Sequence, residues 1–211
     1  CNFQGSSEPI FLRLFFHRSL DTTRALHPIE AAYYHQPHLK GRQDYGHQIL
    51  AVMLVCNGKI FNYEMIMYDK SKSKIQLVQD IADELPTAPT LSYFLCDSWY
   101  TSVDIMESFI KKGFYTIGAL RTNRILYPKE IRSKASEIAQ TLKPSDTSLV
   151  TVGGREFYIW RYEGKLNGIT NAVVLLSYSK NAFGQKQALW MFISTNVDLS
   201  TQDILEIYVS R

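Results

Sequence analysis

Two aspartates stand where apolar runs of the sequence give way to polar residues. Asp97 directly follows the run 91–96, and Asp21 lies in the polar segment after the run 10–16. Carboxylates at the ends of neighbouring strands can hold two divalent cations, which activate a nucleophile and stabilise the leaving oxygen of a phosphodiester. Hard oxygen ligands of this kind favour Mg²⁺ or Mn²⁺. Asp21 and Asp97 are therefore candidate catalytic and metal-binding residues, although an aspartate at such a position also serves as a helix cap or a turn residue.

The elements that would position these acids follow from the hydrophobic pattern. Asn57-Gly58, between two runs of β-branched and aromatic residues, predicts a hairpin. Apolar residues at helical spacing after Ser73 predict a helix, and the capping pattern Thr101-x-x-Asp104 predicts another. The predicted order is three strands, a helix, a strand, a helix and a strand, at 10–16, 46–56, 59–68, 73–85, 91–96, 101–113 and 114–120.

This order is expected of an α/β fold of the RNase H-like (retroviral-integrase-like) type, a mixed sheet flanked by helices. Residues 126–199 change to short strands with turn signals and are interpreted as a β-rich insertion. A second capping pattern, from Ser200 to Asp203, begins a helix that runs to Arg211. We therefore expect a tag remnant at 1–7, the first part of the core at 8–125, the insertion at 126–199 and a further core helix at 200–211.

Composition limits the class of protein. The 211 residues carry a net charge of +3, which permits a nucleic-acid partner without demanding one. Three widely spaced cysteines argue against a disulfide framework or a zinc site. No apolar run is long enough to cross a bilayer, and the N-terminus lacks the pattern of a signal peptide. The expectation is a soluble, cytoplasmic protein without a membrane partner.

Two segments resemble a known family. Residues 93–101 (YFLCDSWYT) and 112–124 (KGFYTIGALRTNR) resemble the second-acid region of DDE transposases of bacterial insertion sequences, in the group with a β-strand insertion before the third acid. Shorter matches are HPIE, DYGHQ and YDKSKSK, which begin at residues 27, 44 and 68. Tyr208-x-x-Arg211 begins the family's Tyr-Arg-Glu-Lys signature, whose catalytic glutamate is expected four residues after Arg211. The sequence stops before that position, so we expect residues 1–211 alone to be inactive or nearly so.

The resemblance implies a chemistry and a set of partners. Members of this family use Mg²⁺ or Mn²⁺ to cleave DNA at transposon ends and to join the freed 3′ hydroxyl to target DNA. On this resemblance Asp97 is the second catalytic acid and Asp21 the first. The family has Asp-Asp-Thr where this chain has Leu20-Asp21-Thr22, which leaves Asp44 as a fallback ligand. A homodimer on DNA and a location at the bacterial nucleoid are also implied.

The residues with an implied role in DNA binding lie around the second acid and in the last helix. They are Trp99, Tyr100, Arg121, Asn123, Arg124, Tyr208 and Arg211. Aromatic rings can stack on an unpaired base, and cations can contact phosphates in a salt-sensitive way. The alternatives are core packing for Trp99 and Tyr100, a solvated surface for the arginines around the second acid, and an ordinary amphipathic helix surface for Tyr208 and Arg211.

Two other functions fit the same residues. A catalytically inactive DNA-binding or assembly domain derived from a transposase would account for the changed first acid. An RNase H-like nuclease would share the endonuclease chemistry and lack only the strand transfer of DNA recombination. The sequence does not separate a transposase from such a nuclease.

Overall fold

Strands outnumber helices in the part of the chain that the structure describes. The computed structural model describes residues 8–20, 32–35, 44–166 and 168–210, with the backbone alone at 15–20, 34, 35 and 44. The strands in this part are β1 (Ile10–Leu20), β2 (Tyr33–His35), β3 (Asp44–Cys56), β4 (Lys59–Met67), β5 (Ser92–Cys96), β6 (Phe114–Ala119), β7 (Ile125–Leu126), β8 (Ser133–Lys134), β9 (Ser148–Val152), β10 (Arg155–Leu166), β11 (Ile169–Ser179) and β12 (Leu189–Ser194). The α-helices are α1 (Lys74–Glu84), α2 (Val103–Lys111), α3 (Ala135–Thr141) and α4 (Thr201–Val209).

These strands form one mixed sheet. Its order is β2, β3, β1, β5, β6, β12, β11, β10, β7, β8, with β4 paired to β3 and β9 paired to β10. β1, β5 and β6 are parallel to one another, whereas β3 is antiparallel to β1 and β12 is antiparallel to β6. The strands of the segment 126–199 therefore extend the sheet from the edge of β6, which would otherwise present unpaired backbone groups to solvent.

Local signals in the sequence account for several element boundaries. Asn57 and Gly58 take positive φ angles of 51° and 68° in the turn between β3 and β4, which confirms the predicted hairpin. The Ser73 side chain caps α1 by accepting a hydrogen bond from the Gln76 N–H. At α4 the predicted capping box is confirmed, because Ser200 accepts from the Asp203 N–H and the Asp203 carboxylate accepts from the Ser200 N–H.

Other boundaries differ from the prediction. The residue that caps α2 is Ser102, whose side chain accepts from the Ile105 N–H, and not Thr101. Thr101 is fully buried and donates its hydroxyl hydrogen to the Ser98 carbonyl, so it completes the turn before the helix. β1 extends to Leu20 instead of ending at residue 16, because its second half pairs with β3.

Apolar side chains cover both faces of the sheet. On one face α1 and α2 pack over β1, β3 and β5, where the rings of Phe94 and Phe109 stack 3.7 Å apart. On the other face Ile204 and Leu205 of α4 pack in a cluster with residues of β5, β6 and β9 to β12. Among the residues described, no helix has both the length and the apolar character needed to cross a membrane.

Candidate metal and nucleic-acid site

Asp97 directly follows a strand whose five side chains are all buried. β5 lies between the parallel strands β1 and β6, and Cys96 pairs with Gly118 immediately before the acid. The Asp97 carboxylate Oδ1 accepts a hydrogen bond of 2.8 Å from the Trp99 N–H, and its carbonyl accepts one of 3.1 Å from the Tyr100 N–H. The side chain is partly exposed, so the turn engages one carboxylate oxygen and the other can meet an external ligand.

The loop after Asp97 is packed tightly against β6. A Cβ atom on Gly118 would lie 2.7 Å from Thr101 Cγ2 and 2.9 Å from Cys96 Sγ, so only glycine fits at this position. Tyr100 is 5% exposed and belongs to the core cluster beneath α1 and α2. Burial raises the pKa of the Tyr100 hydroxyl far above its usual range, and the Asp97 carboxylate raises it further. Of the two roles considered for Tyr100, the structure favours core packing.

Trp99 and Arg121 form an exposed pair beside the acid. The Trp99 ring is 58% exposed, and the guanidinium carbon of Arg121 lies 4.7 Å from the ring centre. A guanidinium at this distance from an indole face makes a cation–π contact. The pair therefore presents a flat, positively charged surface two residues from Asp97. Asn123, in the segment after β6 that also carries Arg121, is exposed as well.

Arg124 occupies a different environment from Arg121. Its side chain is partly buried and donates a hydrogen bond of 2.7 Å from Nη2 to the Thr101 carbonyl. Its Nε atom is buried and has no hydrogen-bond partner among the described residues. Burial lowers the pKa of the Arg124 guanidinium, and the charge of Arg121 lowers it further. Arg124 thus supports the loop after Asp97, and its Nε–H group donates no hydrogen bond among the described residues.

Tyr208 lies on α4, on the opposite side of the sheet from α2. Its ring is partly buried and its centre lies 4.8 Å from that of Phe192, at an interplanar angle of 59°. This contact attaches the last turn of the helix to β12. Arg211, the second residue of the predicted signature, lies outside the described residues.

The C-terminal end of α4 contacts β1 near the level of Asp97. Ser210 follows the helix, and its Oγ accepts a hydrogen bond of 3.5 Å from Arg13 Nη2. Arg13 is the β1 residue paired with Leu95, which lies two residues before Asp97. Because side chains alternate along a strand, Leu95 and Asp97 belong to the same face of the sheet, the one that α4 covers.

The first acid of the predicted set is not fixed by the described structure. Asp21 lies outside the described residues, as does everything up to residue 31. β1 pairs with β5 only from Ile10 to Arg13 and then continues to Leu20 in register with β3. Counting on from the pairing of Arg13 with Leu95, the β1 residue level with Asp97 is Phe15.

A metal at Asp97 would need further ligands. The described residues contain no group of three or more histidine, cysteine, aspartate or glutamate side chains that could hold a metal ion. Asp97 itself fits the role of one ligand, because it is a partly exposed carboxylate on a rigid turn. Asp44, the fallback ligand, begins β3 with only its backbone described.

Several polar residues with structural importance were not singled out by the sequence. Arg13 stands inside an apolar run, which was the one available signal, since a charged residue within a buried strand needs a specific partner. Arg161 and Asn196 gave no local signal. Their partners are backbone and side-chain groups that only the folded sheet brings near them.

Comparison with known proteins identifies the family. A model of the transposase DDE domain matches residues 17–211. A search of curated proteins found no match. Because the family model covers most of the sequence, the chain belongs to the transposase DDE domain family.

Proposed function

We propose that the chain is the catalytic core of a DNA transposase with an RNase H-like fold, which cleaves a DNA strand at the transposon end and transfers it to target DNA. The observation that carries this proposal is the place of Asp97. The acid follows the middle one of three parallel strands, β1, β5 and β6, with the antiparallel strands β3 and β4 beyond β1. Membership of the transposase DDE domain family supports the same reading.

Asp97 would act as a ligand for Mg²⁺ or Mn²⁺. Such ions, when bound, activate the attacking hydroxyl and stabilise the leaving oxygen of the phosphodiester. The hydrogen bond from the Trp99 N–H holds Oδ1, so the carboxylate would meet a cation in one fixed orientation. Asp21 is the proposed second ligand, and the acid expected after Arg211 is the third.

The arginines after β6 would contact the DNA backbone. Arg121 is exposed and stacked on Trp99, so a phosphate or an unpaired base could approach the pair without prior rearrangement. Arg124 is a partly buried cation without a carboxylate within ion-pair distance in the described residues, and a phosphate would compensate its charge. Asn123, exposed between the two arginines, is a further proposed contact.

α4 would complete the site from the opposite face. Its C-terminal end contacts β1 at Arg13, level with Leu95, and a continuation of the helix would approach the Asp97 end of the sheet. Tyr208 and Arg211 would then contact DNA beside the acids. A homodimer, with one copy on each transposon end, is the proposed assembly.

The test is metal-dependent cleavage of a duplex that carries the terminal DNA of the element. We expect cleavage with Mg²⁺ or Mn²⁺ by a chain extended through the glutamate expected four residues after Arg211, and little or none by residues 1–211. Asp97→Asn in the extended chain is the matched variant, since asparagine keeps the Oδ1 acceptor for the Trp99 N–H. Cleavage by this variant at the unaltered rate would contradict the proposal. Joining of the cut strand to a second duplex distinguishes a transposase from a nuclease.

One observation favours a second candidate, a catalytically inactive DNA-binding or assembly domain. The β1 position level with Asp97 holds Phe15, so no carboxylate stands there. The second candidate predicts salt-sensitive duplex binding without cleavage, even in the extended chain. It also predicts that Phe15→Asp, which adds a carboxylate level with Asp97, raises the affinity for Mn²⁺, whereas Asp21→Asn leaves it unchanged.

A further inference from the structure

The connector between β12 and α4, residues 195–200, is fixed by polar contacts from three separate strands. We propose that Arg161 of β10 and the buried pair Tyr93–Asn196 are positioning residues, which hold α4 at a set place relative to the strand that carries Asp97. The inference rests on the proposed function, in which α4 brings signature residues to the acid. It assigns to the segment 126–199 a specific part in building the site.

Arg161 binds the connector directly. Its Nη1 donates a hydrogen bond of 2.8 Å to the Leu199 carbonyl, and its Nη2 donates one of 2.9 Å to the Val197 carbonyl. Leu199 directly precedes Ser200, the residue that caps α4, and Val197 lies two residues before Leu199. Glu163 lies 3.4 Å from the same guanidinium and helps to orient it. A planar guanidinium that binds two carbonyls two residues apart restricts both the position and the direction of the chain that enters the helix.

Asn196 ties the same connector to β5. Its amide Nδ2 donates a hydrogen bond of 3.1 Å to the hydroxyl of Tyr93, and both residues are buried. The amide orientation is determined, because Oδ1 of Asn196 accepts from the Asp198 N–H, which leaves Nδ2 for the tyrosine. Tyr93 belongs to β5, four residues before Asp97. A direct hydrogen bond thus joins the strand of the acid to the segment that begins α4.

β6 provides the third attachment. The Thr195 N–H donates a hydrogen bond of 3.0 Å to the Thr116 carbonyl, and the Thr116 N–H donates one of 2.8 Å to Thr195 Oγ1. α4 is therefore anchored at its N-terminal end by β5, β6 and β10. At its other end, Ser210 accepts the hydrogen bond from Arg13 of β1.

These anchors can affect catalysis through the position of α4, although they lie outside the proposed reaction site. Burial of Ile204 and Leu205 attaches α4 to the sheet, but apolar contact alone permits sliding and rotation. Directional hydrogen bonds at both ends remove that freedom. Since a misplacement of about 1 Å can cost about 100-fold in rate, Arg161 and Asn196 can control the reaction from a distance.

The first measurement is hydrogen–deuterium exchange of the chain without DNA or metal. Arg161→Gln and Tyr93→Phe should each speed exchange of the backbone amides at 197–209, by about tenfold for the arginine and less for the tyrosine. The amides of α2 should exchange at the unaltered rate. Arg155→Gln, at an exposed residue of the same strand, is the control and should change neither region. Unchanged exchange in α4, or an equal increase throughout the chain, would overturn the inference.

The second measurement is single-turnover cleavage by the extended chain. Arg161→Gln should lower the maximal rate about 10- to 100-fold and leave the DNA concentration for half-maximal rate unchanged, with partial recovery in Arg161→Lys. An unaltered maximal rate would contradict a positioning role. Absence of cleavage by the unsubstituted extended chain would overturn the proposed function alone, since the exchange experiment needs neither DNA nor metal.

Discussion

β1 and β5 are parallel neighbours that precede the two predicted acids in the sequence, yet they end in different ways. β5 is five residues long, buried throughout, and paired on both sides up to the residue before Asp97. β1 is paired with β5 only over Ile10–Arg13, and its remaining residues to Leu20 pair with β3 alone among the described strands. The place of Asp97 is therefore set by the sheet, whereas Asp21 lies outside the described residues, after a part of β1 that no longer pairs with β5.

The difference between the two strand ends means that the described sheet determines the position of only one predicted acid, Asp97. At about 3.3 Å per residue, the five residues from Phe16 to Leu20 correspond to about 16 Å of extended strand beyond the level of Asp97. Asp21 can share a metal with Asp97 only if the chain after Leu20 returns toward β5. The two aspartates are therefore supported unequally as metal ligands, and each can be tested separately.

The largest expected effect is the loss of DNA cleavage in Asp97→Asn. We expect the cleavage rate of the extended chain to fall by more than about 100-fold. Replacing even a residue that only hydrogen-bonds to a metal ligand lowers metal affinity or activity about 10- to 100-fold. The folded state should be preserved, since asparagine keeps the acceptor for the Trp99 N–H. Circular dichroism of the same sample separates a lost metal ligand from unfolding.

Asp21→Asn tests whether the first predicted acid also serves the metal site. A loss as large as that of Asp97→Asn would show that the chain after β1 brings Asp21 to the metal. A cleavage rate equal to that of the unsubstituted chain would show that Asp21 is not required, and Asp97 would remain the supported acid of the pair. Asp44→Asn, measured in parallel, tests the fallback ligand with the same assay.

Arg124 and Arg121 should respond differently to substitution. Arg124→Gln removes a charge-assisted hydrogen bond to the Thr101 carbonyl and should lower the free energy of unfolding by about 1 to 2 kcal/mol. Arg121→Gln removes an exposed contact with Trp99 and should change the free energy of unfolding by less than about 0.5 kcal/mol. Urea unfolding of both variants gives the comparison, and equal losses would contradict the distinction between a buried support and an exposed contact.

DNA binding should show a further difference between the two arginines. Replacing Arg121 should weaken duplex binding about equally for all sequences and reduce the slope of log affinity against log salt concentration by about one. A salt-titrated shift assay with residues 1–211 measures this slope. An unchanged slope would return Arg121 to the solvated-surface alternative.

The smallest effect at neutral pH concerns Tyr100. Burial raises the folded-state pKa of the Tyr100 hydroxyl above its ordinary value, so the stability that the neutral hydroxyl contributes is fully present below about pH 10 and is lost as the pH rises above it. The pKa values of Tyr93 and Tyr178 are raised for the same reason, so Tyr100→Phe should remove only part of the alkaline loss of stability. Urea unfolding at about pH 8 and about pH 11 provides the measurement. An identical alkaline loss in the variant would contradict this contribution.

What the sequence could predict was local. The Asn57-Gly58 turn, the helix after Ser73 and the Ser200–Asp203 capping box depend on residues close in sequence, and all three are present. The cap of α2 was assigned one residue too early because Thr101 and Ser102 carry the same hydroxyl, and only packing against Gly118 shows which one is buried. The hydrogen bond between Asn196 and Tyr93 spans 103 residues and depends on the order of the strands. The register of β1 against β5, which decides how the two acids compare, likewise arises from tertiary pairing alone.

A titration with Mn²⁺, followed by electron paramagnetic resonance, tests most directly whether Asp97 is a metal ligand of a DNA-cleaving site. The extended chain and its Asp97→Asn variant are titrated side by side, and the signal of free Mn²⁺ gives the bound fraction. We predict saturable binding to the extended chain and a loss of at least about tenfold in affinity in the variant. Equal Mn²⁺ binding by the two proteins would contradict the assignment of Asp97 to the metal site.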